Sequence, residues 1–328
     1  MKGASFWIWT AGWLLSCSLA VQAQIEINWT LAHGRTVLME PVLATVNIAN
    51  YSGRDLDLTA RGNAKLAFDV EDQPTSTVAG TGQPLVRRPV IIPAGETRAV
   101  EVNLLAAYRI VEGQSYMLTP VLEFGGMRFF GQRLSLEVQP GIELLRRDFG
   151  MPSSGEARTV FLRLIHRDRS DRLFFRIDNP SSGYCLGVFE LGRVIRFFVP
   201  SLEQDRDGVF HVLHQSGPDR FVHTRFGYDG EPLGAEFYSG QVGGIRLVRD
   251  DDGAVAVTGG DAYTEDPETP GLLTAPGLPP SHPYNMSLGE SAVPGAAPAG
   301  KAPPAPGPVP RVQPSKEKPD AGSEPVTW

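Results

Sequence analysis

Three of the chain's six histidines, His211, His214 and His223, fall within the stretch DRDGVFHVLHQSGPDRFVHTRFGYDGEP, residues 205–232. Imidazoles this close together could ligate a transition metal or hand protons along a row. A strand over this stretch separates them, because successive side chains point to opposite faces. His211 and His214, three apart, therefore look to opposite sides and cannot grip one ion. If the chain turns symmetrically about Gly217 and Pro218, His214 lies opposite Phe221 and becomes a diagonal neighbour of His223. A one-residue slip instead puts His223 on the face of His211. Either register leaves two histidines on a face, whereas a zinc site with an open position takes three protein ligands.

A third ligand could come from a repeat of the stretch. VFLRLIHRDRSDRLFFRI, from Val160, matches VFHVLHQSGPDRFVHTRF, from Val209, at an offset of 48 to 49 residues. Each unit has an apolar strand ending near a histidine, a polar turn, and Asp-Arg opening an aromatic strand. His166 corresponds to His214, so the metal set the sequence offers is His166, His214 and His223. Recurrence for structural reasons is the favoured reading. Asp205-x-Asp207-Gly208 offers hard oxygen ligands suited to calcium, as does Asp250-Asp251-Asp252-Gly253, but neither run reaches the glutamate that closes a twelve-residue calcium loop. Asp-Gly before a strand is first a turn former. No cofactor is expected; calcium at Asp205 and Asp207, or a transition metal on the histidines, is the alternative.

Catalytic signatures are otherwise missing: no Gly-x-Ser-x-Gly elbow, no His-Glu-x-x-His helix, no phosphate loop and no dinucleotide fingerprint. Paired carboxylates for sugar hydrolysis could be drawn from Asp178, Asp205 and Asp207. Cys185, in Gly-Tyr-Cys-Leu-Gly, reads as a small buried residue rather than a nucleophile. Arginine and phenylalanine crowd the same region. Adjacent Phe-Phe pairs on a strand face opposite sides, so one of each pair lies between layers or on a surface made for contact. That points to a partner surface built from Phe174, Arg176, Arg196, Phe198 and Arg225, with a two-sided buried sheet as the competing reading.

The elements that must position these residues are strands. Period-two alternation places Ala44, Val46 and Ile48 on one face, then Val100, Val102 and Leu104, then Leu134, Leu136 and Val138. Turn residues separate them at Asn50-Tyr51-Ser52-Gly53, Pro93-Ala94-Gly95-Glu96 and Gly125-Gly126, the last a two-residue hairpin loop. VLATVNIANYSGRDLDLT together with IIPAGETRAVEVNL resembles the bacterial immunoglobulin-like domains of exported proteins. The resemblance implies a β-sandwich over 24–140 acting as spacer, adhesion surface or protease inhibitor. Residues 141–263 form a second antiparallel β domain of degenerate hairpin repeats, similar to β-propeller blades. With at most two and a half units present, an open or two-sheet arrangement is expected.

The ends are different in kind. Lys2, the apolar run Phe6 to Leu19 and Val21-Gln22-Ala23 read as a signal peptide over 1–23. Leu14-Leu15-Ser16-Cys17 is similar to a bacterial lipobox, the alternative in which Cys17 would carry a lipid anchor. The apolar run is shorter than the roughly 20 residues of a membrane span, so no transmembrane segment is expected after signal removal. From 264 to 328 the chain holds 16 of its 28 prolines, a composition that predicts a disordered, proline-rich tail. Net charge is −7, which argues against a nucleic-acid partner. The sequence thus predicts an all-β protein, secreted or held in the periplasm or cell envelope. Its expected role is non-enzymatic binding or scaffolding of a protein or glycan. The alternatives are an extracellular hydrolase of glycans or peptides with an immunoglobulin-like accessory domain, and a protease inhibitor.

Overall fold

The computed structural model describes residues 24–73, 76–150 and 154–264. The expected signal segment, Cys17 and the tail from 265 onward lie outside the described residues. The first part of the chain comprises β1 (Gln24–Leu31), β2 (Arg35–Val37), β3 (Leu43–Tyr51), β4 (Leu56–Asp57), β5 (Ala64–Gln73), β6 (Ser76–Thr77), β7 (Ile91–Ile92), β8 (Thr97–Asn103), a four-residue helix α1 (Leu104–Ala107), β9 (Ser115–Phe124), β10 (Met127–Phe130) and β11 (Leu134–Gln139). A sheet of order β1-β3-β8 faces one of order β2-β11-β9-β5-β6. Between them lie Ile25, Trp29, Val46, Ile48, Val100, Phe68, Leu118 and Leu136, all buried. Trp29 meets Phe68 edge-on at 5.0 Å, and its indole N–H donates to the Gln132 carbonyl at 2.6 Å, so the ring is buried without leaving its donor unmet.

The turns explain the register. Gly125 and Gly126 have φ of +60° and +80°, the left-handed pair that a tight hairpin demands, and Phe124 pairs with Met127 across them. Asn50, fully buried, donates from Nδ2 to the carbonyls of Arg54 and Ile92, while its backbone N–H donates to Glu96 and its carbonyl accepts from Gly95. The Asn50 turn and the Pro93–Glu96 turn are thereby tied together. Leu104 is buried as expected, but it opens α1 instead of ending the strand, because the Asn103 side chain caps the helix by accepting the Leu105 N–H.

The second part comprises β12 (Ile142–Gly150), β13 (Ala157–Arg167), β14 (Ser170–Asn179), β15 (Tyr184–Arg193), β16 (Ser201–Gln204), β17 (Phe210–Gln215), β18 (Arg220–Phe226), β19 (Pro232–Ser239), β20 (Arg246–Arg249), β21 (Val255–Thr258) and β22 (Asp261–Tyr263). Sheet β12-β13-β14-β15 packs on sheet β16-β17-β18-β19-β22. The shared core includes Leu162, Phe175, Phe210, Val212 and Phe226, with Phe175 and Phe226 stacked 4.1 Å apart. The two matched hairpins, β13–β14 and β17–β18, thus lie in opposite sheets of a two-sheet stack. Each sheet is covered on its outer side as well. Val37 and Met39 pack on Ile165, Phe174, Cys185 and Val188. Ile245, at the start of the β20–β21 hairpin, packs on Leu213 and Phe221. Arg167, buried at the first of these contacts, is neutralised by Glu40 at 2.8 Å and by Glu190. Burial there raises the Glu40 carboxyl despite the arginine beside it.

Candidate functional site

The β17–β18 register decides the fate of the histidines. His211 pairs with Arg225, Leu213 with His223, and His214 with Val222. This is the slipped register, centred on Pro218 within the loop that joins the strands. It puts His211 and His223 diagonally on the outer face of the sheet and turns His214 inward. His211 Nδ1 lies 3.0 Å from His223 Nε2. From there the row extends both ways: His211 Nε2 is 3.1 Å from Asp205 Oδ2, and His223 Nδ1 is 3.3 Å from Glu236 Oε2. The Tyr238 hydroxyl donates to that same Glu236 oxygen at 2.9 Å, and Arg225 lies 3.3 Å from the other. Glu236 stands directly across from His223 in the β18–β19 pairing, which is why the contact forms.

Both imidazoles are buried, whereas the Glu236 side chain is 45% exposed, so the row reaches water at that end. Burial pushes the His223 imidazole down to about 4, with the charge of Arg225 acting the same way against the pull of Glu236. Against a burial effect in the opposite sense, the hydrogen bond from Tyr238 and the charge of Arg225 hold the Glu236 carboxyl low. The arrangement can store or pass a proton between a buried carboxylate and the surface.

A second feature lies in the loop between β15 and β16. The Ile195 N–H donates to the Gln215 carbonyl at 2.8 Å, which ties the loop to the end of β17. Arg196 Nε donates to Asp171 at 2.7 Å, and His166 Nδ1 meets the other oxygen of that carboxylate at 3.1 Å. Phe198 packs edge-on against Phe221 at 5.2 Å. With its neighbours anchored, the loop projects Phe197 and Val199 into water, 83% and 79% exposed. Arg169, Arg193 and Arg220 lie exposed on the adjoining turns and strand ends.

The expected partner surface is rearranged accordingly. Phe174 and Arg176 are not on a surface: Phe174 is fully buried beneath Met39, and Arg176 is buried with both ends of its fork on Asp178 at 2.8 Å. Strand β14 is covered on both faces, which is how Phe174 and Phe175 are both buried. Arg196 and Phe198 belong to the loop just described, while Arg225 sits apart at the histidine row. The exposed member of the Phe197–Phe198 pair is Phe197, the opposite of the expected one, because Phe198 finds an aromatic partner inside.

The metal set does not assemble. His166 is exposed and paired with Asp171, His214 is sealed between the sheets near the backbone of Leu191 and Arg193, and His223 faces the other way on His211. Among the described residues no three His, Cys, Asp or Glu side chains are grouped to hold a metal ion. At the expected calcium turn, Asp205 Oδ1 accepts the N–H groups of Asp207 and Val209 at 2.9 and 2.8 Å, its other oxygen faces His211, and Asp207 points to solvent. Asp250 repeats the turn by accepting the Ala254 N–H at 2.7 Å. Asp178, a carboxylate candidate for hydrolysis, is occupied by Arg176. Cys185 is buried, and burial pushes its thiol up to about 12. The reading from sequence did not include Glu236 or Tyr238, and it placed Asp171 only in the repeat and Phe197 only among the crowded aromatics; the facing of His211 and His223 was foreshadowed by the slipped register.

No helix among the described residues is long and apolar enough to cross a membrane. No family model matches the chain, and no curated protein matches it. Among solved structures it is similar to the sporulation control protein Spo0M of Bacillus subtilis, at 11% identity and a TM-score of 0.24, over 50% of this chain and 83% of that one. It is similar to the NanB sialidase of Streptococcus pneumoniae at 9% identity and a TM-score of 0.24, over 71% of this chain and 48% of the sialidase, so that it spans about half the sialidase's length. A DUF4784 family protein from Bacteroides caccae matches at 8% identity and a TM-score of 0.19, over 71% of this chain and 84% of that one. Likeness at this level assigns neither family nor activity.

Proposed function

We propose that this is an exported, non-enzymatic binding or scaffolding protein of the cell envelope or extracellular space, engaging a protein or glycan through the loop Arg196–Val199. The observation that carries the reading is Phe197, 83% exposed between Arg196, held on Asp171, and Phe198, packed on Phe221. An exposed aromatic held on a fixed base, with arginines around it, is the composition of an interface hot spot. It loses little conformational freedom when a partner covers it. The two-sheet stack beneath, packed through Leu162, Phe175, Phe210 and Phe226, is its mount.

The test is recovery of partners from native envelope extract with the full chain as bait, run beside turnover assays on glycan and peptide panels. Specific recovery without turnover is the expected result. Turnover with nothing recovered would replace this reading with that of a hydrolase.

A further inference from the structure

The row Asp205–His211–His223–Glu236 contains three close contacts between polar atoms, at 3.1, 3.0 and 3.3 Å. Each contact needs one hydrogen to be favourable. A neutral imidazole carries one N–H and an ionised carboxylate carries none, so two neutral rings between two carboxylates supply two hydrogens for three positions. One position must be empty. An unmet contact costs least where water can reach it. Side-chain exposure is 14% at Asp205, 6% at His211 and 4% at His223, but 45% at Glu236. The empty position therefore falls between His223 Nδ1 and Glu236. Both rings then carry their hydrogen on Nε2: His211 donates to Asp205, and His223 donates to His211 Nδ1.

We infer that this row is a proton-binding site: on acidification one proton enters at His223 Nδ1, filling the vacant position and making an imidazolium–carboxylate pair with Glu236. The bonds balance without other reactants, since the proton comes from solvent through the exposed end and no existing hydrogen moves. The charged and titratable groups around it are Asp205 from the turn before β17, Arg225 on β18, and Glu236 and Tyr238 on β19. The hairpin packed on the same face brings Arg249, which is held by Glu203 at 3.4 Å and by the Gln204 carbonyl, and the Asp252 carbonyl, which accepts from Arg206 at 3.2 Å. Burial of His223 sets the direction: its imidazole is lowered to about 4, so the filled state belongs to acidic solution and the two-hydrogen state to neutral pH.

Nitrogen-15 spectra of the full chain, following the ring nitrogens of His211 and His223 with pH, test this directly. The expected result is the Nε2–H tautomer for both rings at pH 7 and gain of one proton at His223 with a midpoint near 4. The Glu236→Gln variant supplies an amide N–H to His223 Nδ1, filling the position without a proton. Its His223 is expected to stay neutral through that range. An Nδ1–H tautomer on either ring at pH 7, an imidazolium at pH 7, or a Glu236→Gln variant that titrates like the parent would overturn the inference. The tautomers of the parent protein decide the matter even if the variant does not fold.

Discussion

The hairpins β13–β14 and β17–β18 share a sequence pattern and differ in almost everything the pattern was expected to fix. Val160-Phe161 matches Val209-Phe210, yet Phe210 lies in the core while Phe161 lies on the outer face. There its ring is surrounded by the guanidinium groups of Arg146, Arg163 and Arg176 at 5.4, 4.9 and 5.6 Å. An offset that drifts between 48 and 49 exchanges the two faces of a strand, because side chains alternate with period two. His166 and His214 match in the pattern, but His166 is exposed and paired with Asp171, whereas His214 is sealed inside. Matched letters conserve the hairpin, not the surroundings of a side chain.

The comparison can be broken most forcefully at the phenylalanines. Phe210→Ala removes a fully buried ring and is expected to cost about 3–5 kcal/mol, whereas Phe161→Ala, whose ring meets arginine heads rather than a close-packed core, should cost distinctly less. Paired urea melts check this, and equal losses would mean the two faces are energetically alike.

The histidines come next. Burial holds His214 at about 4, below its ordinary 6.5, so its neutral form is favoured by folding. The stability this gives is fully present above pH 6.5 and is lost as pH falls toward 4, by about 3 kcal/mol at the limit. His214→Leu should therefore make the stability profile shallower between pH 6.5 and 4, leaving the share of the slope that His223 contributes; thermal melts across that range would show it. The smallest effect on stability is expected at the loop. Phe197→Ser should shift unfolding by no more than about 0.5 kcal/mol, because the ring is already in water. A larger shift would show that Phe197 belongs to the fold instead of to a contact.

The sheets were legible in the chain because their signals are local. Alternation at Ala44, Val46 and Ile48 needs only period two, and the Gly125-Gly126 turn needs only positive φ. The pairing of the Asn50 and Pro93 turns was also readable as part of a known sandwich pattern. The histidine row was half legible: strand alternation separated His211 from His214, but choosing between two registers required the length of the loop at Pro218, which tertiary packing sets. Glu236 and Tyr238 join the row only through the β18–β19 pairing, across a bulge between Arg225 and Phe226 that sequence does not announce. Phe174 misled because a strand covered on both faces and a strand with one face open can carry the same two aromatic residues. What covers the second face, Val37 and Met39, lies more than a hundred positions earlier in the chain.

The central claim is that the Arg196–Val199 loop is the contact surface, and the most direct measurement compares partner recovery by the full chain with recovery by its Phe197→Asp variant at matched folding. A charge at an aromatic anchor should abolish recovery while leaving the melting temperature of the protein in place. Undiminished recovery by the folded variant would contradict the account.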